Sequence, residues 1–422
     1  MSQVTLSPAV LRGTVRVPPS KSQAHRSMIC AALSGGRCSL SPFALSKDME
    51  ATLRALSALG VSSRLEGEVL TLESGVRPCG PVEIDCGESG STLRFLIPIA
   101  AALGISARFV GQGRLPERPI GVYLDCLPPA GVSCETAGGL PLTVSGQLRP
   151  GTFSLPGNIS SQFITGLLFA LPLLEGDSDI RLTTPLESTG YVDMTTETMA
   201  RFGVAVERTP GGWHVPGRQR YRPCDDRIEG DWSQAAFFLA AGALGGETAV
   251  EGLSPRSAQG DRAIEALLKQ FGASLRWEGD VLIASPGALH GTEIDAAQIP
   301  DLVPILAAVA ALSAGETRLT GCARLRIKES DRLTAIADGL SRLGAQVREE
   351  PDGLMFRGVP SLSGGKAAGY NDHRIVMALS VAALRADAPV TLTDAQSIQK
   401  SYPLFFEDYN RLGGKAHVFD VG

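Results

Sequence analysis

Apolar, Ala/Leu-rich stretches recur along this chain, each ending in a turn of small residues: AALSGG, AALGIS, LPLLEG, AGALGG, AALSAG and AALRAD. Their length and lack of alternation predict buried helices rather than strands. A short β-rich run follows, such as ARFV, DIRL, TAVEG, TRLTG or PVTLT. Next come a polar loop and a second helix. That helix ends in a bulky or small apolar residue, then glycine, then usually Val or Ala. The glycines are Gly60, Gly131, Gly203, Gly272, Gly344 and Gly413, spaced 69 to 72 residues apart. Glycine there suits a left-handed helix cap, where a side chain would clash. Alternating segments such as VLTLES, LPLTVSG and SLRWEGDVLIA then predict two or three strands per unit.

Six copies of one supersecondary unit therefore make up an α/β protein. The stretch YRPCDDRIEGDW, residues 221–232, mixes Pro, Gly and charge between the third and fourth copies. It marks a boundary between two halves of three units each. The strand VTLSPAVLRGTVRV precedes the first unit and fits either half by sequence. Grouping it with units four to six gives expected domains of 1–19 plus 229–422, and 20–228.

The bulk numbers narrow the chemistry. A net charge of −5 over 422 residues excludes a general nucleic-acid or membrane-surface binder, which carries a basic excess. Any anion must be gripped by a local basic cluster. The eight cysteines form no C-x-x-C pair and flank no histidine at ligand spacing, so neither a metal nor another cofactor is implied. The start MSQVTLSPAV lacks a leader pattern, and apolar runs such as FITGLLFALPLL are too short to span a membrane. A cytoplasmic protein with reduced thiols is expected.

Polar residues gather at the mouths of the helices. The first helices open with PSKSQAHR, CGESGSTLR, GNISSQF, EGDWSQAA, QIPDLVPI and GYNDHRIV; second helices open with LPERPI, LESTGYVD, RIKESDRL and QSIQKSYP. Helix starts present free N–H groups and a positive dipole end, which favour anions. Lys21, Arg26, Arg94, Arg118, Lys328, Arg332, Arg374 and Lys400 all lie at such starts. Each also has a plain structural explanation. Ser20 can be an N-cap among solvated charges, Lys328 and Arg332 the solvated face of a helix, Arg374 a partner of Asp372, and Ser160 and Ser161 simple caps. Their recurrence at equivalent places in the repeat favours a shared anion site. Asp301, Glu329 and His373 are then the candidate proton carriers. No phosphate-loop, dinucleotide or nucleophile-elbow motif is present.

The motifs SKSQAHR, ESGSTLR, LPERPI, SSQF, IPD, KESDR, YNDHR and the Lys400 segment occur in an order that resembles the 5-enolpyruvylshikimate-3-phosphate synthases. The resemblance spans nearly the whole chain. It implies two lobes forming an inside-out α/β barrel, each built of three βαβαββ units. It also implies transfer of the enolpyruvyl group of phosphoenolpyruvate to the 5-hydroxyl of shikimate 3-phosphate, in a monomer without a metal. Position by position, Ser22 and Arg26 would hold the shikimate ring substituents, and Ser160, Ser161 and Ser188 its phosphate. Lys328 would orient the same substrate, and Gln162 would lie between the two substrates. Lys21, Gly90, Arg118, Arg332, Arg374 and Lys400 would surround phosphoenolpyruvate. Asp301, Glu329 and Lys21 would be catalytic, Asp301 taking the hydroxyl proton and Glu329 protonating the methylene carbon. Two positions depart from the pattern: Glu88 and Arg324 stand where the family often has Asn. Ser91 replaces the commoner Thr.

Two other readings remain. A related transferase acts on UDP-N-acetylglucosamine through a loop cysteine before an R-P motif, but GQGRLPERP contains none. A non-catalytic anion-binding repeat protein would keep the fold without needing Asp301 and Glu329.

Overall fold

A helix that is apolar on every side has to be enclosed on every side, and this requirement shapes each half of the chain. The computed structural model describes residues 2–73, 75–76 and 80–420. It divides into two compact units, Met1–Pro19 with Glu229–Gly422, and Ser20–Ile228. The second unit holds helices α1 (Lys21–Ser34), α2 (Gly90–Ala102) and α3 (Ser161–Ala170); the first holds α4 (Trp232–Gly245), α5 (Val303–Ala311) and α6 (His373–Ala382). All of α5 and α6 is buried, as is α4 from Trp232 to Leu244. In α2 only Ser91, and in α3 only Gln162, escapes full burial.

Four-stranded sheets, three per unit, enclose these helices. In the second repeat, Val82–Asp85 runs parallel to Ala107–Val110 (Val82 opposite Ala107). Leu142–Gly146 pairs antiparallel with that strand, and Val132–Glu135 antiparallel with Leu142–Gly146. A helix lies between the first two strands and another before the last two, giving βαβαββ. The fold is α/β with six such repeats, as the sequence predicts.

Three repeats borrow strands from far along the chain. Asp226–Arg227 runs parallel to Cys38–Ser41 and completes the first repeat. Buried Asp226 is held by Ser27 Oγ at 2.5 Å and Arg201 Nε at 2.8 Å. The initial segment, expected as one strand, is two. Ser2–Ser7 inserts antiparallel between Val390–Leu392 and Lys415–Asp420, while Arg12–Arg16 runs parallel to Glu247–Glu251. Pro8, which has no N–H to donate to a ladder, follows directly on the first strand.

The six repeated glycines all adopt left-handed backbone, with φ between 79° and 103°. That is the cap conformation for which their spacing argues. Packing of α2 on α3 depends on a different glycine. Pro98 inside α2 offers no N–H to the carbonyl of Arg94, and buried Tyr123 lies 2.7 Å from that oxygen through its hydroxyl. The same hydroxyl is 3.0 Å from the carbonyl of Phe163 in α3. A β-carbon on Gly166 would come within 2.3 Å of both Arg94 O and Tyr123 Oη. Gly166→Ala should therefore destabilise the protein by about 1–3 kcal/mol through overpacking, read as a lower thermal midpoint.

Candidate active site

In the unit containing 229–422, the starts of α4, α5 and α6 converge. Arg374, one residue into α6, donates from Nη2 to Ser233 Oγ of α4 (3.1 Å) and to Asp301 Oδ2 just before α5 (3.0 Å). Asp301 Oδ1 accepts from Arg332 Nη1 at 3.0 Å. Arg332 opens the helix Arg332–Arg342 and is only 1% exposed. Its Nη2 pairs with Glu329 Oε2 at 2.7 Å and its Nε with Asp372 Oδ2 at 2.8 Å. Asp372 is wholly buried, caps the backbone N–H of Arg374 and accepts from Ser330. One mesh therefore joins Asp301, Glu329, Arg332, Asp372 and Arg374.

Burial alone would push the Asp301 carboxyl up, but Arg374, Arg332 and Lys328 outweigh it and hold it far below the ordinary carboxylate range. Burial also opposes the charge of Arg332, yet Asp372, Glu329 and Asp301 raise its pKa above normal. Lys328 is pulled by burial down to about 8, against the raising influence of Asp301. Lys400 Nζ donates to the carbonyl of Asn371 at 2.6 Å, on the turn leading into α6. That turn is left-handed at Tyr370 and Asn371, with φ of 54° and 49°.

The plainer account of KESDR, a solvated helix face, fails. Lys328 lies in an extended link after the 3-10 turn Ala323–Ile327, and Arg332 is buried. Likewise, the Arg374 guanidinium pairs with Asp301, and Asp372 is Arg332's carboxylate.

The unit spanning 20–228 presents a second set. Ser20 caps α1 by accepting from Gln23 N, and Lys21 Nζ meets Asp48 Oδ2 at 2.9 Å. Buried Arg26 donates to the carbonyls of Ser22 (2.7 Å) and Tyr191 (2.8 Å) and to Thr195 Oγ1 (2.8 Å). Ser22 and Arg26 are thereby tied to the helix Thr189–Arg201, whose cap, buried Ser188, has a left-handed φ of 59°. Serine seldom adopts that conformation. Gly90 opens α2 against two guanidiniums: a β-carbon there would lie 2.7 Å from Arg118 Nη1 and 2.8 Å from Arg94 Nη1. Arg94 Nη1 donates to Gln162 Oε1 (2.8 Å), and Gln162 Nε2 donates to Ser91 Oγ (2.9 Å). Ser160 caps α3 by accepting from Gln162 N, beside buried Ser161.

Within 20–228 the fold thus collects Gly90, Arg118 and Gln162 with Ser160 and Ser161. Ser22, Arg26 and Ser188 gather around the start of Thr189–Arg201, and Lys21 stands with Asp48. Such backbone N–H groups and guanidiniums receive anions. A model of the EPSP synthase family (3-phosphoshikimate 1-carboxyvinyltransferase) matches residues 7–409. The chain belongs to the EPSP synthase family. Relatives named 3-phosphoshikimate 1-carboxyvinyltransferase include those of Clostridium kluyveri, 44% identical, and Clostridium acetobutylicum, also 44%, each covering 100% of both chains. The structure is similar to an EPSP synthase from Acinetobacter baumannii, with a TM-score of 0.83, 28% identity and full coverage of both chains. The enolpyruvyl transferase NikO of Streptomyces tendae shares the fold, with a TM-score of 0.82 at 19% identity and coverage of 100% of this chain and 99% of its own.

Asp48 and Ser233, which the sequence did not single out, also belong to these sets and are found only through their partners. Arg94, counted among the helix-start cations, lies four residues after Gly90 and so on the same helix face. Asp372, expected to pair with Arg374, instead pairs its carboxylate with Arg332 and caps the Arg374 N–H. Of the departures from the family pattern, Glu88 turns its carboxylate toward Gly113, and buried Arg324 donates to the carbonyl of Ala297. All seven described cysteines are free thiols, and Cys79 lies outside the described residues. No group of three or more potential metal ligands occurs among the described residues.

Asp301 ties two buried guanidiniums together, so Asp301→Asn should cost about 3 kcal/mol at pH 7. A carboxyl with a depressed folded pKa contributes stability above its unfolded value near 4 and loses it as pH falls. The gap between variant and native protein should therefore narrow below about pH 4, as thermal unfolding at pH 7 and pH 3 will show.

Proposed function

We propose that both sets of residues serve one reaction: transfer of the enolpyruvyl group of phosphoenolpyruvate to the 5-hydroxyl of shikimate 3-phosphate, with release of phosphate. Family membership supports the reaction. The observation that carries the residue roles is the mesh in which one carboxylate, Asp301, is gripped by two guanidiniums. Both substrates are polyanions. Their phosphate and carboxylate groups compete with Asp301 for Arg332 and Arg374, and drawing those cations away raises the Asp301 pKa toward a useful base. The 5-hydroxyl proton then passes to Asp301 as its oxygen bonds to carbon 2 of phosphoenolpyruvate. Glu329 delivers a proton to the methylene carbon. The tetrahedral adduct then loses phosphate, which carries off the proton held by Asp301, while Glu329 takes back a methyl proton, restoring the double bond.

In this reading Lys21, Gly90, Arg118, Arg332, Arg374 and Lys400 hold phosphoenolpyruvate. Ser22, Arg26, Ser160, Ser161, Ser188 and Lys328 hold shikimate 3-phosphate, with Gln162 between the two. Lys21 joins Asp301 and Glu329 in catalysis. The guanidiniums stabilise charge on the departing phosphate. We take the protein to act as a cytoplasmic monomer on these two metabolites. No helix of the described residues is long and apolar enough to cross a membrane, and the chain is acidic overall. Carboxylates set among the cations lower affinity for an anion, so a clamp without chemistry would use them only to balance buried charge, whereas the reaction also needs them to move protons. The sugar-nucleotide reaction lacks its loop cysteine, since residues 111–119 contain none.

Phosphate release should occur with phosphoenolpyruvate and shikimate 3-phosphate together, and not when UDP-N-acetylglucosamine replaces the latter; release with the sugar nucleotide alone would reverse the assignment. Lys328 adds a pH signature. A lysine is cationic below its pKa, so affinity for shikimate 3-phosphate should be highest below pH 8 and fall above it. Lys328→Arg, which stays charged, should hold that affinity level to pH 9 in calorimetric titrations.

A further inference from the structure

A line of buried polar atoms joins an imidazole that the mechanism does not use to the start of α2. His25, in the second turn of α1, is 1% exposed, and its ring stands edge-on to Phe95 at 6.4 Å. Its Nδ1 lies 2.9 Å from Thr52 Oγ1 on the helix Lys47–Ala58. Thr52 Oγ1 lies 2.7 Å from Thr92 Oγ1 in α2, and Thr92 Oγ1 donates to Ser89 Oγ at 2.8 Å. Ser89 is the N-cap of α2 and the residue before Gly90; it also accepts from the backbone N–H of Thr92 at 3.2 Å. Thr52 and Thr92 are fully buried and Ser89 is 1% exposed, so no solvent competes for these hydrogens.

The order of donors follows from counting protons. A hydroxyl has one hydrogen to give. Thr92 gives its hydrogen to Ser89, so the 2.7 Å contact is filled by the Thr52 hydrogen, which lies nearer Thr92 than its other acceptor, the carbonyl of Asp48 at 3.2 Å. Thr52 then must accept from His25, which therefore carries its proton on Nδ1 and leaves Nε2 as a bare lone pair. Among the described residues, buried His25 Nε2 has no hydrogen-bond partner. Burial, reinforced by the charges of Lys21 and Arg26, lowers the imidazole pKa and keeps the ring neutral. A chain with a single donor direction holds its members in place, because Thr52 turning fully to the Asp48 carbonyl would orphan its contact with Thr92.

We propose that His25 is a positioning residue for the Ser89–Gly90 turn, acting through Thr52 and Thr92. The neutral imidazole orients both threonine hydroxyls, and these fix the cap whose next residue lies against the guanidiniums of Arg118 and Arg94. This rests on the reading that Gly90 receives phosphoenolpyruvate. The role differs from ligand contact: His25 reaches the turn through two other side chains.

The test uses four variants with steady-state and binding measurements on both substrates. His25→Leu and Thr52→Val each break the chain and should raise KM for phosphoenolpyruvate roughly tenfold, leaving the Kd of shikimate 3-phosphate within about twofold. His25→Asn keeps an N–H donor near the place of Nδ1 and should restore most of the affinity. The His25→Leu/Thr52→Val double variant should be no worse than either single one, because both cut the same chain. Equal weakening of both substrates, a fall in thermal midpoint without a change in KM, failure of His25→Asn to rescue, or additive losses would each overturn the proposal. Should His25→Leu not fold, Thr52→Val carries the same comparison. The native enzyme run alongside tests the reaction itself: without phosphate release there, the functional reading falls first.

Discussion

Helices without a polar side leave only their ends free for polar chemistry. That constraint governs both compact units. Because α1 to α6 are enclosed along their length, sheets lie outside the helices in each unit. Polar residues are then confined to the caps, the first helical turns and the loops that open the second helices. In the unit of 229–422, three such starts meet closely enough for Arg374 to bond with both Ser233 and Asp301. The repeat fixes which end each helix offers, so converging helices present starts rather than a mixture of starts and finishes.

Charge gathered in this way has to be balanced before any ligand arrives. Leaving one buried guanidinium unpaired costs on the order of 3–5 kcal/mol, and Arg332 and Arg374 are both buried. Asp301, Glu329 and Asp372 provide the balance. Two of these, Asp301 and Glu329, are the proposed proton carriers, so the groups that stabilise the ligand-free site are those that substrate charge would set free. Asp372 does not share that role in our reading: wholly buried, it fixes the start of α6 and one edge of Arg332. In the other unit Lys21 has Asp48, Arg94 donates to Gln162 and to the carbonyl of Pro119, and both Arg94 and Arg118 face the backbone of Gly90, where a side chain would not fit.

Much of the fold was legible because its signals are local. A left-handed helix cap selects glycine at its own position, so the spacing of six glycines exposed the repeat without knowledge of any contact. Apolar runs of helical length announced burial in the same way. Strand exchange was less legible. Nothing in VTLSPAVLRGTVRV says that its two parts enter different sheets, since pairing is decided by Thr391 and His417 on one side and by Thr248 on the other.

The candidate site divides along the same line. Sequence alone determined which residue types stand at the helix starts and to which family the chain belongs, because motif order and side-chain chemistry are carried by the chain itself. Tertiary structure decided what each charge does. KESDR has the spacing of a solvated helix face, yet Arg332 is buried because Asp301 and Asp372, 31 and 40 residues away in sequence, close around it. Only that convergence depresses Asp301, and burial in the same fold lowers Lys328 to about 8, since desolvation and Coulomb energies depend on distances through space that no local pattern encodes.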